Sequence, residues 1–551
     1  MADELCVTTK IPMFPDEVLL HIFEHLDSRT LCRCCLVSHQ YHRIASSDGL
    51  WKTLLRKEYK FWNSPPDWSE KFRYKDVFNH RKYTDRQVQK SLEQIIQSSI
   101  GRITNYHHIA NRYNYDAIDI LLQNHYLKGS DILTRKYYSR SLVHYLRRRK
   151  AFSVWSSLVT GTEIPNFDIT VSYFSHFYGT DCIEISSKLD TLTKNFKEEY
   201  LDEFEASSLD QKCGIIGAFM NQRGISGATG ADYYRIENSF IHFALNRVPT
   251  LPITLAAIFC GIARRLEIHA APVDFPGHVY VTVSETADFR NNIYIDIYNV
   301  GRLISRLELE QSLASIGEPP SPIYLSPASA IAMIRRVFRN IINSIQQGED
   351  SRNGKPLALY SAIAALLTMN NEIDERTRDI FASIIQNHFP MDVDILEQVI
   401  SRLQNFNDTG ELSSQCRSIR SNDNTPLPIH RRQNTSLISY RIGDVFQHKR
   451  YSYVAVITGY TEVCNTAEEW IRAMRIDELN RGRDQPFYHV IAEDGSSRYV
   501  AEENIRPIND IASCEIFQDL EDIGKYFRRF NQETGRFVPA PDLEISYPDD
   551  I

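Results

Sequence analysis

Apolar side chains recur at helical spacing from Phe14 to Trp51. A helix is predicted to open at Pro15, because proline is tolerated in a first turn and the two acidic residues behind it suit the N-terminal end of a helix dipole. Its apolar positions are Val18, Leu19, Ile22, Phe23 and Leu26. Asp27 or Ser28 can cap a second helix, and a third segment ends at Trp51. These short helices are apolar on more than one face, so we expect part of their surface to contact another protein.

The middle of the chain changes from helix alone to a helix followed by strands. Residues 85–165 show helical periodicity and contain no motif that indicates a catalytic or binding site. A core helix is predicted to begin near Pro252 to Thr254, and two β-branched runs after it favour strands. His278 lies just before the first of these strands, and Asp296 lies near the end of the second. This order is typical of a Cys–His–Asp site.

The last part of the chain follows a polar stretch. Residues 405–436 are rich in Asn, Ser, Thr, Arg and Gln and show no apolar periodicity, which predicts a disordered linker. Residues 437–551 are rich in strand pattern and contain one short helix. Asp494 and Gly495 lie between two alternating runs, which is a strong signal for a hairpin turn. We expect a small β-barrel with one inserted helix and a C-terminal extension.

Composition limits the classes of protein to which the chain can belong. With 551 residues and 42% apolar content, it should hold about three or four globular domains. Its longest nearly unbroken apolar run, Leu251 to Ala263, is shorter than the about 20 residues that a bilayer helix needs. The N-terminus lacks an apolar signal region, so we expect a cytoplasmic or nuclear protein. Ten scattered cysteines predict reduced thiols with no metal site and no cofactor, and a net charge of −8 gives no general attraction to nucleic acid or membrane.

The N-terminal stretch resembles the F-box family. The matching groups are Phe14-Pro15, Leu26-Asp27, Leu36-Val37-Ser38 and Leu50-Trp51. Tyr41 stands where most members have Trp, which keeps a large aromatic side chain. The resemblance implies that the chain binds a Skp-type adaptor and, through it, a cullin–RING ubiquitin ligase. The residues expected to bind the adaptor are Pro15, Leu20, Ile22, Leu26, Leu36, Val37 and Trp51.

The central region resembles the SirB type of transglutaminase-like domain. The similar segments are DYYRIENSFIHFALNRVPTLPITL, PGHVYV and IDIYN. In active enzymes of this type a Cys begins the central helix, whereas this chain has Pro252, Ile253 and Thr254 at that place. The resemblance therefore implies a domain without catalysis, in which His278, Asp296 and Thr254 are vestigial candidates.

The C-terminal region resembles the YccV/HspQ family, a family of hemimethylated-DNA-binding domains. The similar segments are the Arg-Ile-Gly start, the Glu-Glu-Trp-Ile helix, Gly482-Arg483 through Gln485–Tyr488, and Asp494 through Val500. Residues 437–507 carry nine Lys and Arg against eleven Asp and Glu, whereas phosphate binding draws on a surplus of positive charge. Five arginines could still converge into a local patch: Arg472, Arg475, Arg481, Arg483 and Arg498. We expect this domain to bind protein rather than DNA.

These patterns together predict a multidomain α+β protein. Its predicted parts are an F-box over 12–58, a helical region over 85–165, a transglutaminase-like domain with a helical tail over 167–404, the linker over 405–436, and the YccV-like barrel over 437–551. The predicted function is non-catalytic substrate recognition in an SCF (Skp–cullin–F-box) ubiquitin ligase, which directs an unidentified protein to ubiquitination and proteasomal degradation. Two alternatives stay open: a DNA-binding protein acting through the C-terminal domain, and a transamidase or protease built on His278 and Asp296.

Overall fold

The structure, a computed structural model, divides the chain into two compact units. It describes residues 14–62, 73–124, 129–161, 166–347, 355–369, 374–403, 410–432, 438–508 and 512–550. The first unit comprises Met1–Leu142 with Thr425–Ile551, and the second comprises Val143–Asn424.

The N-terminal part of the chain is helical, as its periodicity predicts. The α-helices in its described residues are α1 (Asp16–Phe23), α2 (Ser28–Cys34), α3 (His39–Ala45), α4 (Asp48–Glu58), α5 (Tyr74–Gln97), α6 (Arg102–Arg112), α7 (Ile118–Gln123) and α8 (Ile132–Thr160). The division between the two units falls within α8, after Leu142.

Local side chains fix the starts of α2 and α3. Asp27 accepts a hydrogen bond from the backbone N–H of Thr30 at 2.7 Å, and Ser38 accepts one from the N–H of Tyr41 at 3.2 Å. Such caps satisfy N–H groups that have no partner inside the helix. The core beneath these helices contains Leu19, Phe23, Leu31, Ile44, Ala45, Leu50, Trp51, Leu54, Leu55, Tyr59 and Phe78. Because Phe78 lies on α5, the first four helices share their core with the region that follows them.

The second unit is a largely helical body with one small sheet. Its helices in the described residues, after the end of α8, are α9 (Phe167–Ser175), α10 (Cys182–Ala206), α11 (Leu209–Gln222), α12 (Ile241–Ala244), α13 (Pro252–Arg265), α14 (Arg306–Ser315), α15 (Ala330–Gln347), α16 (Lys355–Met369), α17 (Glu375–His388), α18 (Val393–Leu403) and α19 (Gly410–Asp423). Four strands pair antiparallel in chain order: β1 (His269–Val273), β2 (Tyr280–Ser284), β3 (Ile293–Asp296) and β4 (Arg302–Ile304). The central helix α13 packs against β1 and β2, and residues 252–263 are all buried. The predicted order of elements, a core helix followed by two strands, is therefore present.

Part of the predicted linker is an ordered helix. The buried residues Leu412, Cys416 and Ile419 of α19 follow one another at intervals of four and three, and α19 packs against α17 and α18. The prediction of disorder over 405–436 is therefore wrong for this helix. Three apolar side chains at helical spacing give even a polar segment one face that can be buried. The parts of the predicted linker beyond 410–432 lie outside the described residues.

The C-terminal part of the first unit contains two separate sheets. Its strands in the described residues are β5 (Val445–His448), β6 (Val454–Thr461), β7 (Phe487–Ala492), β8 (Ser497–Ala501), β9 (Ile505–Pro507), β10 (Phe527–Asn531) and β11 (Arg536–Pro539), and its helices are α20 (Glu468–Ala473), α21 (Ala512–Glu515), α22 (Ile523–Tyr526) and α23 (Pro541–Ser546). Five strands pair in the order β8-β7-β6-β5-β9, and β10 pairs with β11. No pairing of β8 with β9 closes the larger sheet in the described residues, so the predicted barrel is not confirmed. The predicted hairpin at Asp494 and Gly495 does join β7 to β8, with Gly495 at a φ of 77° that favours glycine.

The C-terminal sheets pack on helices of the same unit. Leu133 of α8 lies in one apolar core with residues of β5, β6 and β7. Arg102 of α6 makes two hydrogen bonds to the carboxylate of Asp542, at 2.6 and 2.7 Å. Thr134 donates a hydrogen bond to the carbonyl of Phe527 at 3.0 Å. The C-terminal domain is therefore an integral part of the first unit.

Candidate functional site

Helix α1 is apolar on two sides. Leu19 and Phe23 point into the core and are almost wholly buried. Val18 and Ile22, one turn apart, are 43% and 45% exposed, and Leu20 is exposed on another flank of the same helix. Among the described residues, the core of these helices includes Leu19 and Phe23, whereas Val18, Leu20 and Ile22 neither belong to it nor pack against it. An apolar surface of this kind marks a site of contact with another protein.

A second exposed apolar group follows α2. Leu36 is 87% exposed, and Val37 beside it is also exposed. Both lie in the turn between α2 and α3, whose start is fixed by the Ser38 cap. We name the exposed apolar residues of α1 and of this turn the F-box face; they are Val18, Leu20, Ile22, Leu36 and Val37.

The start of α1 is tied to α3 by polar contacts. Gln40 donates hydrogen bonds to the carbonyl of Phe14 and to the carboxylate of Asp16, both at 2.9 Å. Arg43 pairs with the same carboxylate at 2.5 Å. The hydrogen bond from Gln40, which has the larger effect, and the one from Arg43 hold the pKa of Asp16 below its usual value. The contacts give the N-terminal end of α1, and Pro15 at its cap, a defined position.

The structure separates the seven residues predicted to bind the adaptor into three groups. Exposed are Pro15, Leu20, Ile22, Leu36 and Val37. Leu26 is half-buried and packs against the core of the F-box helices. Trp51 is fully buried, and its Nε1–H donates to the carbonyl of Ala45 at 2.7 Å. The prediction that Trp51 contacts the adaptor is therefore corrected: its ring faces inward, packed edge-on against Phe78.

Sequence reasoning missed Val18 as a member of the F-box face. Its signal was available, because Val18 and Ile22 are four residues apart and so share one side of a helix. Leu19 and Phe23, with the same spacing, form the inner side. Two parallel apolar stripes on one short helix are the pattern that distinguishes a docking helix from one that only packs on its own core.

His278 and Asp296 form a hydrogen-bonded pair in the second unit. Nε2 of His278 donates to Oδ1 of Asp296 at 3.0 Å, and the same carboxylate accepts from the side-chain amide of Asn299 at 2.6 Å. Burial raises the pKa of Asp296, but the hydrogen bonds from His278 and Asn299 outweigh it and hold the pKa below its usual value. The imidazole is partly exposed, with its ring 4.5 Å from that of Tyr280. The predicted His–Asp arrangement is thus present.

The residue predicted as the third member of this arrangement does not face solvent. Thr254 is fully buried in the first turn of α13, and its hydroxyl donates to the carbonyl of Asn238 at 3.2 Å. Cys260 lies deeper in the same helix, where burial raises the pKa of its thiol above the usual value. A buried, protonated thiol is a poor nucleophile.

The five arginines that could have formed a basic patch on the C-terminal domain are engaged with neighbouring groups. The ion pairs are Arg475–Glu478, Arg481–Glu502, Arg483–Glu468, Arg483–Asp477 and Arg498–Asp494. The remaining one, Arg472, donates to a backbone carbonyl at 3.3 Å. Paired guanidinium groups offer a phosphate less charge than free ones, because each would have to leave its carboxylate.

A buried cluster with the side chains of a metal site lies at the start of α10. The potential ligand atoms of His176, Asp181 and Cys182 are within 4.8 Å of one another. Both imidazole nitrogens are already engaged, one with the carbonyl of Arg147 at 3.0 Å and the other with the backbone N–H of Cys182 at 3.1 Å. The guanidinium of Arg147 also lies 3.4 Å from the carboxylate of Asp181. Both nitrogens of the imidazole are therefore occupied by backbone groups of the protein.

No helix in the part of the chain that the structure describes is both long enough and apolar enough to span a membrane.

Three family models match the chain in the predicted order. The F-box-like model matches residues 12–57, the transglutaminase-like superfamily model matches 183–339, and the model described as hemimethylated DNA-binding protein YccV like matches 438–534. The chain therefore carries an F-box-like region, a transglutaminase-like region and a YccV-like region in this order. The prediction of these three domains is confirmed.

The chain is similar over most of its length to particular F-box proteins. It is 25% identical to F-box only protein 21 of Homo sapiens over 478 residues, which is 77% of this chain and 72% of the relative. It is 26% identical to F-box only protein 21 of Pongo abelii over 474 residues, with the same coverage. Part of the chain is 31% identical to the UPF0162 protein of Xylella fastidiosa strain 9a5c over 160 residues, which is 28% of this chain and 56% of the relative. No solved structure gives a significant match.

Proposed function

We propose that the protein is the substrate-recognition subunit of an SCF ubiquitin ligase. The F-box face carries this proposal, because α1 shows a second apolar side that its own core does not use. The F-box-like match and the similarity to F-box only protein 21 support the same role. The adaptor binds at the F-box face and links the chain to a cullin, while the transglutaminase-like and YccV-like domains are available to bind protein substrates. A cytoplasmic or nuclear location follows from this assembly.

Purification of the intact chain from cells of its own organism tests the proposal. We expect a Skp-type adaptor and a cullin to co-purify in stoichiometric amounts, and the purified assembly to transfer ubiquitin to proteins bound with it when ubiquitin, activating enzyme and conjugating enzyme are supplied. A chain that purifies without adaptor and cullin would contradict the assignment.

The transglutaminase-like domain is proposed to be catalytically silent. Acyl transfer needs a nucleophile that the imidazole can deprotonate, whereas Thr254 is buried and bonded to a carbonyl. We expect the intact protein to neither hydrolyse nor transamidate glutamine-containing peptides, and Thr254→Val to change nothing in that assay. His278→Ala should lower stability by about 1 kcal/mol through the lost hydrogen bond to Asp296.

Denaturant unfolding and a peptide turnover assay measure the two sides of this prediction. A matched change at an exposed imidazole, His269→Ala, should alter neither. The domain would instead be an enzyme if the protein turned over such peptides and either Thr254→Val or His278→Ala abolished this turnover without lowering stability.

The YccV-like domain is proposed to bind protein rather than DNA, because four of the five arginines that could form a basic patch are paired with carboxylates. In a mobility-shift titration of the intact chain, methylated, hemimethylated and unmethylated duplexes should all bind weakly and alike. Tight binding of one duplex that weakens steeply with added salt, and that Arg483→Gln reduces, would contradict this.

A further inference from the structure

A cleft of about 470 Å³ lies in the second unit beside the His278–Asp296 pair. Gly277, which directly precedes His278, and Leu251, which directly precedes α13, both line it. Its volume is within the range of about 300–1,000 Å³ that is typical of ligand sites. The cleft therefore lies next to the start of the central helix, where the sequence offers no thiol.

Helix α15 forms the polar wall of the cleft. Arg336, Arg339, Asn340, Asn343 and Ser344 all line it, and their spacing of three and four residues places them on one side of the helix. The neighbouring side of α15 is buried and largely apolar, with Met333, Ile334, Val337 and Ile341, and the buried Ser344 lies at the border between the two sides.

The two arginines of this wall differ in their partners. Arg336 is bound to the carboxylate of Asp274 at 2.5 Å and to the carbonyl of Phe275 at 2.7 Å, so it fixes the loop that leads to Gly277. Arg339 is exposed and has no ion-pair partner among the described residues. One cation of the cleft is therefore neutralised, and the other is available to a ligand.

The remaining wall residues fit a peptide. The side-chain amides of Asn340 and Asn343 make no hydrogen bond to another described residue, and each offers donors and an acceptor that a peptide backbone can use. Tyr233 and Tyr234 supply aromatic surface, with ring centres 5.3 Å apart. Gly277 leaves open space where a side chain would otherwise lie. The amides and the unpaired guanidinium together suit a peptide segment with a negative group.

We propose that this cleft binds an extended peptide segment bearing a carboxylate, with Arg339 as the carboxylate ligand and Asn340 and Asn343 as backbone ligands. The carboxylate is either that of an Asp or Glu side chain or that of a protein C-terminus, since a guanidinium pairs with both in the same way. This inference deepens the proposed function, because it assigns substrate recognition to one site and one ligand chemistry.

Three pools of labelled octapeptides test the proposal on the intact chain by fluorescence polarisation. Each pool holds one fixed central residue among randomised uncharged positions: Glu with an amidated end, Gln with an amidated end, and Gln with a free C-terminal carboxylate. We expect one of the two carboxylate pools to bind about tenfold or more tightly than the neutral pool, because a charge-assisted hydrogen bond contributes at that scale. Which of the two binds identifies the source of the carboxylate.

Variants separate the two parts of the cleft. Arg339→Gln should remove the preference for a carboxylate, whereas Arg417→Gln, the same change at an exposed arginine of α19 that does not line the cleft, should leave it intact. Replacing Asn340 and Asn343 by Ala should weaken all three pools together and keep the preference. Absence of saturable binding by any pool, equal binding of all pools, or a preference that survives Arg339→Gln would each overturn the proposal.

The same proteins distinguish this inference from the proposed function. Arg339→Gln should retain the adaptor, and a variant of the F-box face should retain the peptide preference. If the adaptor is not bound while the carboxylate preference holds, the ligase assignment fails and the cleft proposal stands. If the adaptor is bound while no preference is seen, the cleft proposal alone fails.

Discussion

Replacing Ile22 by Asp should abolish binding of the adaptor while the protein stays folded. Ile22 is 45% exposed on α1 and makes no part of the core beneath it, so the change costs the free chain little. In the complex the new carboxylate would be buried without a partner, which costs several kcal/mol. A loss of about 3 kcal/mol or more weakens binding by over about 100-fold. Calorimetric titration of the intact chain with purified adaptor measures this effect.

A matched control uses an exposed side chain elsewhere in the same unit. Tyr83 on α5 is 50% exposed, and Tyr83→Asp introduces the same charge away from the F-box face. This variant should bind the adaptor as the unchanged protein does. Wild-type affinity for Ile22→Asp, or an equal loss in both variants, would place the adaptor site elsewhere.

Local signals explain why the F-box helices could be predicted from sequence. Asp27 caps α2 through its own side chain, and the apolar spacing of α1 requires no distant partner. Closure of a β-barrel is different, because it depends on pairing between strands that no local pattern fixes. The hairpin at Asp494 and Gly495 was therefore predicted correctly, while the sheet that contains it is open between β8 and β9 in the described residues.

The helix α19 shows the limit of compositional reasoning. The segment is polar overall, and composition alone favours disorder. Leu412, Cys416 and Ile419 nevertheless reach a buried face, because α17 and α18 offer a surface for them. Burial of three side chains outweighs the low average hydropathy of the segment.

The candidate cleft could not be predicted because its residues come from distant parts of the chain. In the sequence, Arg339, Asn340 and Asn343 are the polar side of an amphipathic helix, which is typical of a solvated surface. Tyr233 and Gly277 become their neighbours only in the folded second unit. His278 and Asp296 were predicted, since they lie on or beside strands that follow the central helix in a known order, but the cleft beside them had no such pattern.

Replacing Trp51 by Ala should unfold the F-box helices rather than remove a single contact. The indole is fully buried, packs against Phe78 with ring centres 5.1 Å apart and donates to the carbonyl of Ala45. Truncation of a buried Trp costs about 3–5 kcal/mol, which is a large part of the stability of a domain. We therefore expect a lower free energy of unfolding, measured in denaturant, and loss of the adaptor in the same variant.

Two further variants show that this loss acts through folding. Trp51→Phe keeps most of the ring but removes the N–H that Ala45 accepts from, so we expect a smaller cost of about 1–3 kcal/mol. Leu36→Ala, at a side chain that is 87% exposed, should leave the free energy of unfolding within about 0.5 kcal/mol of the original and still weaken adaptor binding. If Trp51→Ala instead left stability unchanged and removed only the adaptor, the indole would contact the partner directly. The F-box helices would then have to change conformation on binding to expose it.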